Sequence, residues 1–148
     1  PDRLTLPDFA ELTAAGYVEI DEDTLGELEM RVYLGQLEAS GVLPVAAEGW
    51  SGDRLRVYRS PGGRGPAACV WFTAWDDEQE ARQAEAAAKR IMDAVATGDR
   101  ETHLVRRRGR GLLIVRNLDP SLHAPVVRAF ARVADALPEA PPRAARPP

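Results

Sequence analysis

The stretch GWSGDRLRVYRSPGGRGPAACVWFTAWDDEQEA, residues 49–81, holds all three tryptophans of the chain and decides its architecture. "DRLRVYR" (53–59) alternates: Leu55 and Val57 fall on one side, Arg54, Arg56 and Tyr58 on the other, as in a half-buried strand. "SPGGRGP" (60–66) consists of turn formers and reads as a hairpin loop. "AACVWFTAW" (67–75) is apolar almost throughout, which predicts a central strand covered on both faces. Cys69, Trp71, Thr73 and Trp75 share one face, and Ala68, Val70, Phe72 and Ala74 the other. Asp76, with Gln79 three residues on, is expected to cap a helix whose first turn carries Asp77, Glu78 and Glu80 at the positive end of its dipole. Ala81, Ala84, Ala88, Ile91 and Val95 form its buried stripe, and Gly98 ends it.

Upstream, Asp23 or Thr24 with Glu27 starts an earlier helix. Its stripe is Leu25, Leu28, Val32 and Leu37, widened by Met30, Tyr33 and Leu34, and Gly41 is its expected stop. Residues 1–20 read as an N-terminal extension. Within it Leu4, Leu6, Phe9 and Leu12 are apolar enough to cover part of a core, and "YVEI" (17–20) suits a short edge strand. Downstream, "THLVR" (102–106) and "LLIVRNL" (112–118) flank the turn "RRGRG" (107–111). Asp119-Pro120-Ser121 then opens a third helix with Leu122, Val126, Phe130, Val133 and Leu137 inward. Residues 138–148 form a proline-rich flexible tail. The expected fold is one α+β domain over 21–137 in the order α-ββ-α-ββ-α. It is a two-layer sandwich, an antiparallel sheet from two β-hairpins with helices on one face.

The totals fit a globular chain. Of 148 residues, 45% are hydrophobic and 28% charged, the normal range for a packed domain. A net charge of -4 gives no global attraction to nucleic acid or anionic membranes. The one cysteine, Cys69, excludes an intrachain disulfide. No apolar run approaches the roughly 18 residues of a membrane span, and no signal peptide opens the chain. Pro1 in place of methionine points to a fragment or processed product.

Each candidate for chemistry has a plainer role. His103 and His123 lack metal-ligand spacing, and no nucleophile elbow or nucleotide-binding loop occurs. Cys69, mid-strand among apolar neighbours, reads as a core residue. "GGRG" (62–65) leads into a strand, not into a helix N-terminus, so it lacks the usual phosphate geometry. No catalytic residue, metal site or cofactor is expected. Trp50, Asp53, Arg54, Trp71, Trp75 and Asp76 are read as a structural clamp: Asp53 accepts from turn amides, Arg54 pairs with a carboxylate such as Asp76 or Asp77, and Trp71 and Trp75 lean on a helix or on Trp50. A ligand-binding aromatic pocket is the alternative. Arg106, Arg107, Arg108 and Arg110 are the candidate contact for an anion or an acidic partner. No aromatic residues interleave them for base stacking, which disfavours nucleic acid.

"LGELEMRVYLGQL", "AAEGWSGDRLRVYR" and "CVWFTAWDDEQEA" together resemble a GWxGDR…VWxTxWD pattern of uncharacterised bacterial and archaeal surface proteins and lipoproteins. Some of these carry a metallopeptidase-like region upstream. The likeness runs over about residues 20–95 and rests on Gly49, Trp50, Gly52, Asp53, Arg54, Val70, Trp71, Thr73, Trp75 and Asp76. Leu55 stands where the pattern has tyrosine, and "DDEQEARQA" lacks its usual Asp-Ala and Glu-Phe pairs. The resemblance implies an extracytoplasmic setting, periplasmic or surface, and no established activity; a cytoplasmic setting is the alternative. The expected function is a non-catalytic protein-interaction or assembly domain of a larger exported bacterial protein, with an unidentified protein partner. The alternatives are an accessory domain to a metallopeptidase-like part upstream and anionic-ligand binding through Arg106–Arg110.

Overall fold

The apolar run of the opening stretch lies at the centre of a five-stranded sheet. The computed structural model describes residues 2–36, 47–95 and 100–140. In chain order the elements are α1 (Ala10–Ala14), β1 (Val18–Asp23), α2 (Gly26–Leu34), β2 (Trp50–Arg59), β3 (Ala68–Trp75), α3 (Glu78–Val95), β4 (Leu104–Arg108), β5 (Gly111–Arg116) and α4 (His123–Asp135). The strands lie in the order β1-β2-β3-β5-β4 with every pair antiparallel. The α+β class and both hairpins match the sequence reading. The expected edge strand at 17–20 runs from Val18 to Asp23, with a bulge between Glu19 and Asp21. The expected helix stops Gly41 and Gly98, and Leu37, lie outside the described residues.

The helices do not share one face. Met30 and Leu34 of α2 and Ala81, Ala84, Ala88 and Ile91 of α3 bury Trp71, Trp75, Leu112 and Ile114 on one side of the sheet. Val126, Ala129 and Phe130 of α4 cover Val70, Phe72, Leu113 and Val115 on the other. Phe72 and Phe130 meet edge to face at 5.3 Å between ring centroids, the arrangement their quadrupoles favour. The molecule is therefore three-layered at its centre. β3 requires this: a strand apolar on both faces leaves no face for water.

The second correction concerns the expected N-terminal extension, whose residues 2–20 are part of the domain. Leu4, Leu6, Phe9, Leu12 and Tyr17 are buried in the same core as α4, so residues 2–9 form a strap across that face of the sheet. The strap covers the side of β2 expected to meet solvent, and Arg56 and Tyr58 are buried beneath it. Arg56 serves as its anchor. Its Nη1 donates to the Pro7 carbonyl at 2.8 Å and its Nη2 to the Leu6 carbonyl at 3.1 Å. Glu22 lies 3.2 Å from Nη2 and Glu19 3.5 Å from Nε. At the other end Asp2 N–H donates to the Ser51 carbonyl at 2.6 Å, and the Asp2 carboxylate takes Arg110 Nη1 at 2.7 Å.

Gly52 permits this closure, because a Cβ there would run into the Asp2 carbonyl oxygen. Gly52→Ala is expected to destabilise by about 1–3 kcal/mol, the usual range for forced overpacking against backbone. At Gly49 an added Cβ would run into Glu80 Cβ and Cγ at the root of that side chain, which the backbone of α3 holds in place, so Gly49→Ala should also destabilise. The urea midpoint of Gly52→Ala tests this, and a midpoint equal to that of the wild type would refute the close approach of Asp2 to Gly52.

Candidate functional site

Asp53 is the hub of the tryptophan-rich corner. It is 2% exposed, and its carboxylate is fully used. Oδ2 accepts from Leu25 N–H at 2.9 Å and Oδ1 from Gly26 N–H at 3.0 Å. The Trp71 indole N–H donates to Oδ2 at 2.9 Å. Leu25 has right-handed helical angles and Gly26 a φ of 89°. Successive right- and left-handed residues turn their amides toward one point, forming an anion-binding nest. Asp53 thus caps α2 from a different element, and the side-chain capping box expected at Thr24 is not used. Gly26 supplies the positive φ that most residues adopt only at a cost.

The other clamp residues fall differently from expectation. Arg54 pairs with Glu22 at 2.8 Å, not with Asp76 or Asp77, and also reaches Thr24. Asp76 is exposed and contributes its backbone N–H to the Gly49 carbonyl at 2.7 Å. The cap of α3 is Asp77, whose Oδ1 accepts from Glu80 N–H. Trp75 is fully buried; its indole N–H donates to Thr73 Oγ1 at 2.9 Å, and Thr73 in turn donates to the Leu112 carbonyl at 3.3 Å. Trp71 meets Tyr33 of α2 edge-on at 5.3 Å. Trp50 borders an open cleft of about 530 Å³, with Arg3, Thr24 and Arg54 on its walls. Trp71 and Trp75 are buried, with their indole N–H groups bonded internally.

The arginine turn is tighter than expected. Gly109 and Arg110 alone make it, and Arg106, Arg107 and Arg108 belong to β4. Arg107 pairs with Glu85 at 3.2 Å and Arg108 grips Asp135 with two bonds of 2.5 and 2.8 Å. Arg110 holds Asp2, the Trp75 carbonyl and the Pro138 carbonyl. Three of the four arginines therefore have a carboxylate partner within the fold, while Arg106 and Arg108 are the two that lie exposed. The turn clamps α3, α4 and the strap together.

His123 Nε2 lies 2.9 Å from the Leu118 carbonyl, and His103 Nδ1 accepts from Asn117 N–H. Among the described residues no group of three His, Cys, Asp or Glu side chains is placed to hold a metal ion. Cys69 sits in β3, and burial pushes its thiol up, which keeps it protonated and poorly nucleophilic.

Glu22 is held below its ordinary value of 4.5, chiefly by its bond from Arg54, with Arg56 adding to the effect. Burial would raise Asp2 and Glu85, but Arg110 and Ser51 outweigh it at Asp2, and Lys89 and Arg107 at Glu85, so both end lowered. A depressed carboxylate adds stability that is complete above its unfolded value and is lost as pH falls through its folded value. The urea midpoint should therefore decline as pH drops below the ordinary 4.5 of glutamate. The gap between the wild type and Glu22→Gln should close over the same interval. A gap that persists at low pH would remove Glu22 as a source of acid sensitivity.

The sequence reading did not single out Gly26, Glu22, Arg56, Tyr33 or Arg116. One signal was available: a glycine inside the first turn of an expected helix marks a backbone position with a special conformation.

The family model described as Domain of unknown function (DUF8575) matches residues 13–132. The chain belongs to that family. The match contains every strand, the Asp53 hub and the arginine turn, and begins after the strap. No curated protein and no solved structure matches the chain.

Proposed function

We propose that this domain is a non-catalytic protein-interaction or assembly module of a larger exported bacterial protein. The observation that carries the reading is what remains in water once the clamp is built. Leu28 and Val32 on α2 are 62% and 58% exposed, and Val18 and Ile20 on β1 are 46% and 55% exposed. Leu28 and Val32 are four residues apart, so they form one ridge on the side of α2 away from Met30 and Leu34. A paired apolar ridge on a domain whose Asp53, Arg54, Trp71, Thr73 and Trp75 side chains are engaged internally supports docking over chemistry. The extracytoplasmic setting rests on the GWxGDR…VWxTxWD resemblance.

A photo-crosslinking residue at position 28, in cells that make the whole protein, tests the reading. One discrete adduct is expected. It should disappear on Val32→Asp, which leaves the urea midpoint within about 0.5 kcal/mol. The same probe at Arg82, on the exposed side of α3, should give no adduct. Equal labelling from both positions, or none from either, would overturn the proposal. So would turnover of a small molecule that Asp53→Asn abolishes in a still-folded protein.

A further inference from the structure

Among the donors sealed without acceptors on the α2 face, the Tyr33 hydroxyl and Arg116 Nε are brought together by the strand register and the Tyr33–Trp71 contact. Cys69 of β3 and Arg116 of β5 are register partners. Both lie on the face that carries Trp71 and Ile114, since side chains alternate along each strand. Tyr33 stands over the same face against Trp71, two residues along β3 from Cys69. The Tyr33 hydroxyl and Arg116 Nε are both closed off from solvent, and neither has a hydrogen-bond partner. Among the described residues no carboxylate pairs with Arg116, although Arg54, Arg56, Arg107, Arg108 and Arg110 each have one. A half-buried guanidinium and a buried phenol, each lacking an acceptor, destabilise a fold unless something supplies that acceptor.

We propose that Arg116, the Tyr33 hydroxyl and the Cys69 thiol form a binding site for a small oxyanion, the carboxylate or phosphate group of a ligand. The chemistry of the three groups is one-sided. Arg116 offers charge and a planar fork suited to two oxygens. The Tyr33 phenol is pushed up to about 12, mainly by burial, so it remains a donor throughout the physiological range. The Cys69 thiol stays protonated, so it presents a weak S–H donor and no repelling charge. Among the described residues the site therefore holds donors, one positive charge and no carboxylate paired with it, which fits an anion and disfavours a metal ion. It lies apart from the arginine turn, where Arg107, Arg108 and Arg110 are already paired, and it is independent of docking through Leu28 and Val32.

Titration of the folded protein with sodium phosphate and with sodium acetate, each against sodium chloride at equal ionic strength, tests the site. The readouts are the Arg116 Nε–H resonance and tryptophan fluorescence, since Trp71 touches Tyr33. At least one oxyanion is expected to give a saturating response, at least tenfold weaker in Arg116→Gln and several-fold weaker in Arg116→Lys and Tyr33→Phe. Response to phosphate alone points to a phosphorylated ligand, and response to acetate alone to a carboxylic acid; either supports the site. Without anion, Tyr33→Phe should melt at or above the wild-type temperature, because it removes an unpaired buried hydroxyl. A non-saturating response shared by Arg116→Gln overturns the proposal, as does a clear loss of stability in anion-free Tyr33→Phe.

Discussion

Asp53→Ala is expected to destabilise the domain by about 4 kcal/mol, the scale of removing one member of a buried charged network. For a chain of this size that is a fall in Tm of roughly 8–16 °C. The change strands three donors at once: Leu25 N–H and Gly26 N–H at the start of α2, and the Trp71 indole N–H in the core. Each buried donor left without a partner costs about 1–3 kcal/mol, and water entering the gap recovers part of it. Asp53→Asn should lose about half as much, because one oxygen remains while the amide turns its own hydrogens toward other donors. Near-ultraviolet circular dichroism should change with Asp53→Ala even at low temperature, since Trp71 loses its fixed partner. An unchanged midpoint with lost ligand binding would reassign Asp53 from fastening to function. The carboxylate stands between β2, β3 and α2, which explains why a Gly-Asp-Arg corner precedes a Val-Trp strand: one anion holds a helix start onto two neighbouring strands.

What was legible in the sequence follows from how local each signal is. The two hairpins and α3 were readable because alternation, glycine-rich loops and an alanine stripe are properties of adjacent residues. The three-layer arrangement was implied by β3 alone, whose two apolar faces demand a cover on each side; the expectation of helices on one face conflicted with that reading. The clamp residues were recognisable as a group, yet their partners were not. Asp53 bonds residues 27 and 28 positions away, and Arg110 bonds one 108 positions away. Such pairings depend on which chain segments cross, and no spacing rule within a strand or helix specifies that. Arg56 illustrates the same limit. An arginine alternating with Leu55 and Val57 looks solvated until a distant strap is laid over it, and then its five donors become the strap's anchor.

Phe9→Ala is the companion test, expected to cost about 3–5 kcal/mol as a large aromatic removed from a closed core. Phe9 is 5% exposed and packs in the cluster with Leu4, Leu6, Leu12 and Phe130. Its ring also lies 5.9 Å from the Arg56 guanidinium carbon, so truncation weakens the anchor as well as the packing. Were residues 1–20 an extension laid on a finished domain, the same change would fall within about 0.5 kcal/mol, as surface substitutions do. Glu11→Ala, two residues on and exposed, supplies that baseline in the same stretch. The slope of the urea transition separates two ways of losing stability. A fall in midpoint at constant slope means that the strap unfolds together with the sheet. A shallower slope means that it has detached beforehand and left Val70 and Phe72 partly wet in the native state. The first result is expected, because the strap is held by backbone carbonyls on Arg56 at one end and by the Asp2–Arg110 pair at the other. Phe9 lies beyond the first of these anchors, so its loss should loosen packing without freeing Asp2.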